Sequence, residues 1–238
     1  MRVLWLQPVN AAEALATEEA ILRCRLENES PDTICFWRGK RSLIVGFDIE
    51  RDKVDFKLCD ELEIPIYRRQ SGGGAIYQDE GNLNYSLIAP LQGVLGEDAH
   101  QAGLFIDSLV AKAISEVNLN AGVTDSGAIC VGGKKIAGSA QFVLWGCLLH
   151  HGVVAVNTNL DLLQRVIPVN KIPVTTLERE LGRSLEIDEL AAAICEELVT
   201  ALNTTAFPGK LSDKEKVIAQ ELSRDKYFNL KWIRRSHG

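Results

Sequence analysis

Arg68-Arg69-Gln70-Ser71-Gly72-Gly73-Gly74-Ala75-Ile76-Tyr77 is the stretch from which the rest of this chain is best read. Three consecutive glycines, entered from the extended-looking Ile64-Pro65-Ile66-Tyr67 and left through Ala75-Ile76-Tyr77, remove every Cβ from a turn between two predicted strands. Backbone can touch a ligand there. Two arginines just upstream, fixed cations with planar forks of donors, point to a ligand that carries a phosphate or carboxylate. On these residues alone a Gly-rich hairpin turn with surface arginines is the alternative. The helix-entry fingerprints for phosphate do not fit, because there is no GxxxxGK[ST] and the residues after the glycines read as strand.

Upstream, Arg2 to Leu6 reads as a strand, and Asn10 followed by Glu13 reads as a helix start leading through Ala14, Leu15, Ala20, Ile21 and Leu22, with Glu13, Glu18 and Glu19 expected on the wet side. Thr33–Arg38 and Ser42–Phe47 flank Gly39-Lys40-Arg41 in a hairpin pattern. Asp52 to Leu62 carries helical spacing. Downstream, Asn82 to Ile88 alternates as a half-buried strand, which puts Asn82 and Asn84 on one face and Leu83 on the other. Asp98 to Val117 predicts a helix whose stripe of Ala102, Phe105, Ile106, Leu109, Val110, Ala113 and Val117 reads as core. Gly132-Gly133 predicts a second hairpin, from Ala128–Val131 into Lys134–Leu144. Leu148 to Val156 favours strand, and Thr158 or Asn159 caps a short helix through Leu162 and Val166. From Glu186 on the pattern is helical, Ile187–Leu202 and Ser212–Leu222, with Ser212 and Glu215 as a capping box and no strand between. The expected organisation is a mixed α/β (α+β) domain over residues 1–184, with a helical segment, 185–238, packed on it or appended.

The 238 residues, 46% of them hydrophobic, suffice for one large domain or one domain with a small appendage. A net charge of −6 offers no basic footprint for nucleic acid. No apolar run is long enough to span a membrane, and Met1–Leu6 breaks off at Gln7-Pro8, too early for a signal peptide. Six cysteines (Cys24, Cys35, Cys59, Cys130, Cys147, Cys195) are scattered with neither CxxC nor zinc spacing, which points to free thiols, most of them in the core, and to the cytoplasm.

Taken together, RRQSGGGAIYQDEGNLNYSL, GGKKIAGSAQ and LLHHGVVAVNTNLDLL resemble the lipoate-protein ligase family within the biotin/lipoate protein ligase superfamily, and KEKVIAQELSRDKYFNLKW is similar to its C-terminal helix and ending. The resemblance implies a mixed, mostly antiparallel sheet with packed helices. It implies a two-stage acyl transfer, in which lipoate and MgATP give lipoyl-adenylate and a lysine of a lipoyl domain then displaces AMP. The expected acceptors are of the 2-oxoacid dehydrogenase E2 or glycine cleavage H protein type, with a small accessory ligase subunit as a further partner and neither nucleic acid nor membrane. Ser71, Gly72, Gly73 and Gly74, continuing into Ala75, Ile76 and Tyr77, are then the floor for acyl group and phosphate, with Arg69 at one end. Lys135 aligns with the family's lysine, whose ammonium would stabilise charge growing on carbonyl and phosphate. Gly138, Ser139 and Ala140 are small enough for an acyl chain to lie close. His151 aligns with the HHG histidine, either orienting the site or bonding within the sheet, while His150 must face the other way. Asn82 and Asn84 share the ligand face.

Two positions depart from the ligase pattern. Gln78-Asp79 replaces His-Asp, and Gly127-Ala128 stands where ligases carry the Asn-Asp that helps hold nucleotide and magnesium; Asp79 and Asp125 are the candidate replacements. That leaves open an octanoyl or lipoyl transferase working through a cysteine thioester, for which Cys130 and Cys147 are the nearest candidates. A non-catalytic acyl-binding homologue would keep the glycine turn without needing Lys135. A biotin ligase is disfavoured because its GRGRxGR-type loop is absent.

Overall fold

Arg2–Val9 (β1) leads into Ala11–Leu26 (α1), whose first turn is capped by the Asn10 side chain accepting the Glu13 N–H. The computed structural model in which this is seen describes residues 1–49, 53–169 and 172–235. The elements that follow are Thr33–Gly39 (β2), Ser42–Val45 (β3), Phe56–Glu61 (α2), Ile66–Arg68 (β4), Ala75–Gln78 (β5), Asn82–Pro90 (β6) and Ala99–Ser115 (α3). Then come Ala121–Val123 (β7), Ile129–Val131 (β8), Lys134–Leu144 (β9), Cys147–Ala155 (β10), Leu160–Val166 (α4) and Leu177–Leu181 (α5). Ile187–Ala201 (α6), Phe207–Pro208 (β11), Asp213–Leu222 (α7), a π-helical turn over Ser223–Tyr227 and Leu230–Ile233 (α8) complete the chain. The helix expected from Asp52 is the shorter α2, and Asp52 itself lies outside the described residues.

Eight strands form one sheet in the order β11-β1-β2-β6-β10-β9-β8-β7, parallel where β1 meets β11 and β2 and antiparallel elsewhere; a smaller sheet runs β4-β3-β5. This is the mixed, mostly antiparallel architecture expected. The period-two alternation assigns the faces. Ile34, Phe36, Leu83, Tyr85 and Leu87 pack on α3 and α6, while Leu4, Cys35, Ile88 and Leu149 pack on Ile21 and Leu22 of α1. The smaller sheet lies on the α1 face, joined to it through Trp37, Ile44 and Tyr67, and its outer side is covered by Cys59 of α2 and Leu163 and Val166 of α4. The Gly132-Gly133 hairpin is as predicted, with φ of 56° and 75°.

Three expectations are corrected. β2 and β3 are not a hairpin: β2 is a central strand of the large sheet, and the chain leaves at Lys40 to place β3 at the middle of the small one. Glu18 and Glu19 are buried, 1% and 3% exposed, because α1 is enclosed by the sheet on one side and α7 on the other; Glu13 is exposed as expected. The C-terminal helices are interrupted by a strand, the two-residue β11 beside β1.

The C-terminal residues are tied to the site-bearing part by polar contacts that alternate along β4 and the loop after it. Arg68 donates to the carbonyls of Trp232, Ile233 and Arg235, and Trp232 Nε1 donates to Arg68 O at 2.8 Å. Lys226 donates to Gln70 Oε1 and, at 2.6 Å, to Glu19 Oε2, which also accepts from Tyr227. Residues 68 and 70 thus face the tail, which leaves 69 and 71 to face the interior.

Candidate functional site

The glycine loop does not join paired neighbours, because β4 and β5 both pair with β3 and the loop passes across the end of that strand. Gly46 N–H donates to Gly74 O at 3.0 Å and Phe47 N–H to Ser71 O at 2.9 Å, which holds the loop down. Gly73 adopts φ of 90°, the left-handed region that a Cβ disfavours, and its N–H faces Asp48 Oδ1 at 3.3 Å.

Arg69 is buried beneath this loop. Its Nε donates to Ser71 Oγ at 3.0 Å and its Nη2 to Gly72 O at 2.6 Å, while Nη1 is buried with no protein acceptor. Burial pulls its pKa down to about 10, against the opposing field of Asp48. A desolvated guanidinium with one unpaired N–H group on a cavity is able to donate to an anionic group there.

Ser71 is the start of a buried chain. Its Oγ accepts from Arg69 and stands 2.6 Å from His151 Nε2; His151 Nδ1 stands 2.9 Å from Glu18 Oε2; and Trp37 Nε1 donates to Glu18 Oε1 at 3.2 Å. With Ser71 giving its proton to Nε2, the neutral ring carries its own on Nδ1, donated to Glu18. His151 therefore bridges the loop and α1. His150 faces the opposite way, between Gln141 and Asp107 under α3.

Lys135 arrives from the other side of the cleft. Its backbone is clamped by residues 173–175, donating N–H to Pro173 O at 2.7 Å and accepting from Thr175 N at 2.9 Å. Lys134 points outward to Glu180, while the Lys135 ammonium folds back over Gly138, where a Cβ would stand 2.7 Å from Nζ. Burial pushes its pKa below the usual lysine range; Cys130 opposes this, Arg69 adds to it, and Asp107 opposes it.

These groups share one cleft between the two sheets. A cavity of about 160 Å3 is lined by Arg69, Gly73, Gly74, Ala75, Ile76 and Tyr77 on the loop and β5 side, and by Asn82, Lys135, Gly138 and Ser139 on the large-sheet side. It continues past Arg69, Ile76 and Val153 into a narrower part bounded by Glu18, Trp37, Gln78, Asn84, Ala140 and His151. The backbone platform and the ammonium anticipated from the sequence thus face the same space. Asn82 and Asn84 lie on the cleft face as their alternation required, although both side chains are also spent within the protein, Asn82 accepting from Asp79 N and Asn84 bonding Gln78.

The departures have structural correlates. Asp79 accepts N–H bonds from Gly81 and Asn159, and Asp125 is exposed on a turn. Among the described residues no group of three or more His, Cys, Asp or Glu gathers to hold a metal. Gly127, at φ of 78°, leaves room for Asp107, whose Oδ2 would stand 2.8 Å from a Cβ there and accepts from Ser139 Oγ at 2.8 Å. Of the cysteines, Cys147 is buried and pushed up to about 11 by its surroundings, Cys130 is half-buried and also raised by burial, and neither lines the cleft. Sequence reading placed neither Glu18 nor Trp37 at the site, and met Gln78 only as a departure from the ligase pattern. Only consecutive glutamates within an otherwise alanine-rich helix hinted at the first.

Residues 10–199 match the model of the lipoyl protein ligase A/B catalytic domain. Among similar sequences, lipoate-protein ligase A subunit 1 of Thermoplasma acidophilum is 29% identical over 97% of this chain and 95% of its own, and lipoate–protein ligase 1 of Staphylococcus aureus is 31% identical over 92% and 68%. An octanoyltransferase LipM of Carboxydothermus hydrogenoformans is 26% identical over 94% of each. Among structures, a Thermoplasma acidophilum protein, provisionally termed a lipoate protein ligase, with bound lipoic acid superposes with a TM-score of 0.87 at 27% identity, covering 98% of both chains. A lipoate-protein ligase A bound with ATP gives 0.86 at 28% over 97% of both. A bipartite lipoate protein ligase from Thermoplasma acidophilum, described with its E2 lipoyl domain, gives 0.85 at 26% over 98% of this chain and 95% of that one.

Proposed function

This chain belongs to the lipoyl protein ligase A/B catalytic-domain family, and from that premise we propose that it is a lipoate-protein ligase that activates lipoate with ATP to lipoyl-AMP and passes the lipoyl group to a lysine of a lipoyl-domain protein. The observation that carries the reading is the pairing of the orphaned Arg69 Nη1 with the half-buried Lys135 ammonium across one apolar-walled cleft floored by glycine backbone. Two desolvated cations on one cavity favour a ligand with at least one negative charge, and the narrower part beyond Arg69, walled in part by Leu15, Trp37, Ile44, Ile76 and Val153, suits an apolar tail.

In the first stage the lipoate carboxylate attacks the α-phosphorus of ATP and pyrophosphate leaves. Arg69 and the loop N–H groups hold the phosphate oxygens, and Lys135 offsets charge gathering between phosphate and carboxyl. In the second stage the acceptor's amine attacks the acyl carbon and AMP departs. Lys135 then faces both the carbonyl oxygen and the leaving phosphate as a preorganised, partly desolvated donor. The Glu18–His151–Ser71 chain keeps Arg69 from rotating away. Magnesium, which the family implies, would enter with the nucleotide; Asp79 and Asp125, as placed, are poor ligands for it, the one being engaged by backbone and the other exposed.

The acceptor is proposed to be a lipoyl domain of the 2-oxoacid dehydrogenase E2 or glycine cleavage H type, with a small second subunit as in the bipartite relative. Residues 1–184 would form the catalytic part and 185–238 its helical buttress. No helix is long and apolar enough to cross a membrane among the described residues, and the cytoplasm is the proposed location. One observation favours a second reading, the near full-length similarity to an octanoyltransferase; the raised thiols of Cys130 and Cys147, outside the cleft, weigh against a cysteine thioester here.

The test is to incubate the protein with lipoate, MgATP and an apo-lipoyl domain and to weigh the acceptor by mass spectrometry. A gain of one lipoyl group that requires ATP is expected. Gain from octanoyl-carrier protein alone, and none with lipoate and ATP, would replace the ligase by the transferase. Arg69→Lys keeps a charge but loses the fork that spans Ser71, Gly72 and the cavity, so kcat/KM should fall by about 10–100-fold, measured by the same assay.

A further inference from the structure

Asp107 on α3 is 1% exposed and has no part in the two stages above, yet its carboxylate lies behind the floor of the cleft. The floor there is β9, where alternate residues face opposite sides. Gly138 faces the cleft, with the Lys135 ammonium folded over it; Ser139, the next residue, donates its hydroxyl to Asp107 Oδ2 at 2.8 Å. One layer of backbone thus separates the two charges, which stand on the order of 10 Å apart.

The surroundings of that carboxylate are built to hold it. Tyr85 donates to Oδ1 at 3.3 Å, and His150 Nε2 stands 3.3 Å from the same oxygen. Gln141 gives an amide N–H to His150 Nδ1, which keeps the neutral ring's proton on Nε2, toward Asp107. Burial, with the Asp107 charge adding to it, raises Tyr85 well above its usual range, so it stays a donor. Two glycines make the space: a Cβ at Gly152 would stand 2.4 Å from the Tyr85 hydroxyl, and one at Gly127 would stand 2.8 Å from Asp107 Oδ2. Gly127-Ala128 occupies the place where the ligase pattern carries Asn-Asp, so an acid that this loop lacks arrives beside it from α3.

Among the described residues, the close partners of Asp107 are neutral donors, and its buried charge has no fixed cation in contact. The converse holds in the cleft, where the Lys135 ammonium has neither an ion pair nor a hydrogen bond among the described residues. Three groups act on it through space: Cys130 from β8, Arg69 from the glycine loop and Asp107 from α3. Burial raises the Cys130 thiol, which leaves it uncharged near neutral pH, and Arg69 repels. Asp107 is the anion of the set. We propose that Asp107 is a positioning residue for Lys135, a counter-ion behind the strand that balances the ammonium's charge without occupying its donors. A direct ion pair would balance the charge as well, but would turn the N–H groups away from phosphate and carbonyl. This purpose rests on the ligase reading above; the geometry does not.

The experiment is competitive labelling of amines with acetic anhydride from neutral to alkaline pH, read at single lysines by fragmentation mass spectrometry. It compares the full chain with Asp107→Asn, Asp107→Ser and Tyr85→Phe. Asn keeps the shape and Ser is smaller, and both remove the charge; Phe removes a hydrogen bond to the carboxylate and keeps the charge. In each Asp107 variant that unfolds cooperatively, the midpoint for Lys135 should fall by about one pH unit, because burial and Arg69 then act on the ammonium unopposed by an anion. Lys134, paired with Glu180 on the outside, should keep its midpoint throughout, and Tyr85→Phe should leave both lysines where the parent has them. The alkaline limb of kcat in the lipoate assay should move down with Lys135. An unchanged Lys135 midpoint in a folded Asp107 variant overturns the inference, and so does an equal fall in Tyr85→Phe, which would make packing the cause. Failure of both Asp107 replacements to fold would assign the residue to the fold and overturn it too. Labelling needs no turnover, so a protein inactive with lipoate and ATP would overturn the ligase reading while the midpoints still decide on Asp107.

Discussion

Lys135→Ala should reduce transfer to the acceptor by about 10²–10³-fold, the usual loss when one preorganised donor is taken from a developing oxyanion. The lysine contributes little to the fold: its backbone bonds to Pro173 and Thr175 do not involve the side chain, and the ammonium lies over Gly138. Thermal unfolding of the variant should therefore match the parent. The loss should fall on kcat and leave KM for lipoate nearly unchanged, because the charge it offsets is greatest in the transition state. Turnover equal to the parent's would remove Lys135 from the mechanism.

The second large effect concerns stability. Arg2 on β1 reaches the Glu215 carboxylate with both terminal nitrogens, at 2.9 and 2.5 Å, and Ser30 Oγ donates to the same carboxylate at 2.6 Å. Glu215 is fully buried. Arg2→Ala would leave that carboxylate buried and unpaired, a loss of about 3–5 kcal/mol, seen as a fall in melting temperature of about 10 °C for a chain of this size. Burial alone would raise the pKa of Glu215, but the bonds from Arg2, Ser30 and Ser212 outweigh it and hold the carboxyl below its usual 4.5. The sign follows: the pair contributes in full above the ordinary carboxylate range and is lost as pH falls through the lower, folded value. The gap in melting temperature between parent and Arg2→Ala should therefore be widest near neutral pH and close as the pH falls through the lowered titration range of Glu215 in the parent; a gap that does not change with pH would show that lost packing, not charge pairing, is responsible.

How much of this was legible in the sequence depended on whether each feature was local. The Gly132-Gly133 turn, the stripe of α3 and the capping box of Ser212 and Glu215 are set by neighbours a few residues apart, and each is where its pattern put it. The glycine loop announced bare backbone near cations, and Arg69 and Lys135 do face one cavity. What depended on distant partners was misread. Glu18 and Glu19 look like solvent residues until His151, Lys226 and Tyr227, more than 130 positions away in sequence, are brought to them. The Gly39-Lys40-Arg41 connection has hairpin chemistry, yet β2 finds a better-matched neighbour in β6 and β3 is captured between β4 and β5. β11 is too short to carry any pattern. Gln78 could be seen to depart from the family pattern, but not that it bonds across to the other sheet.

The most direct test of the proposed chemistry is lipoate-dependent exchange of labelled pyrophosphate into ATP, measured with the protein and magnesium but no acceptor. Exchange that needs lipoate, and that is lost in Lys135→Ala, is the expected result, because the cleft would form the acyl-adenylate before any lysine arrives. No exchange by a folded protein that nevertheless acylates a lipoyl domain from a carrier thioester would contradict it.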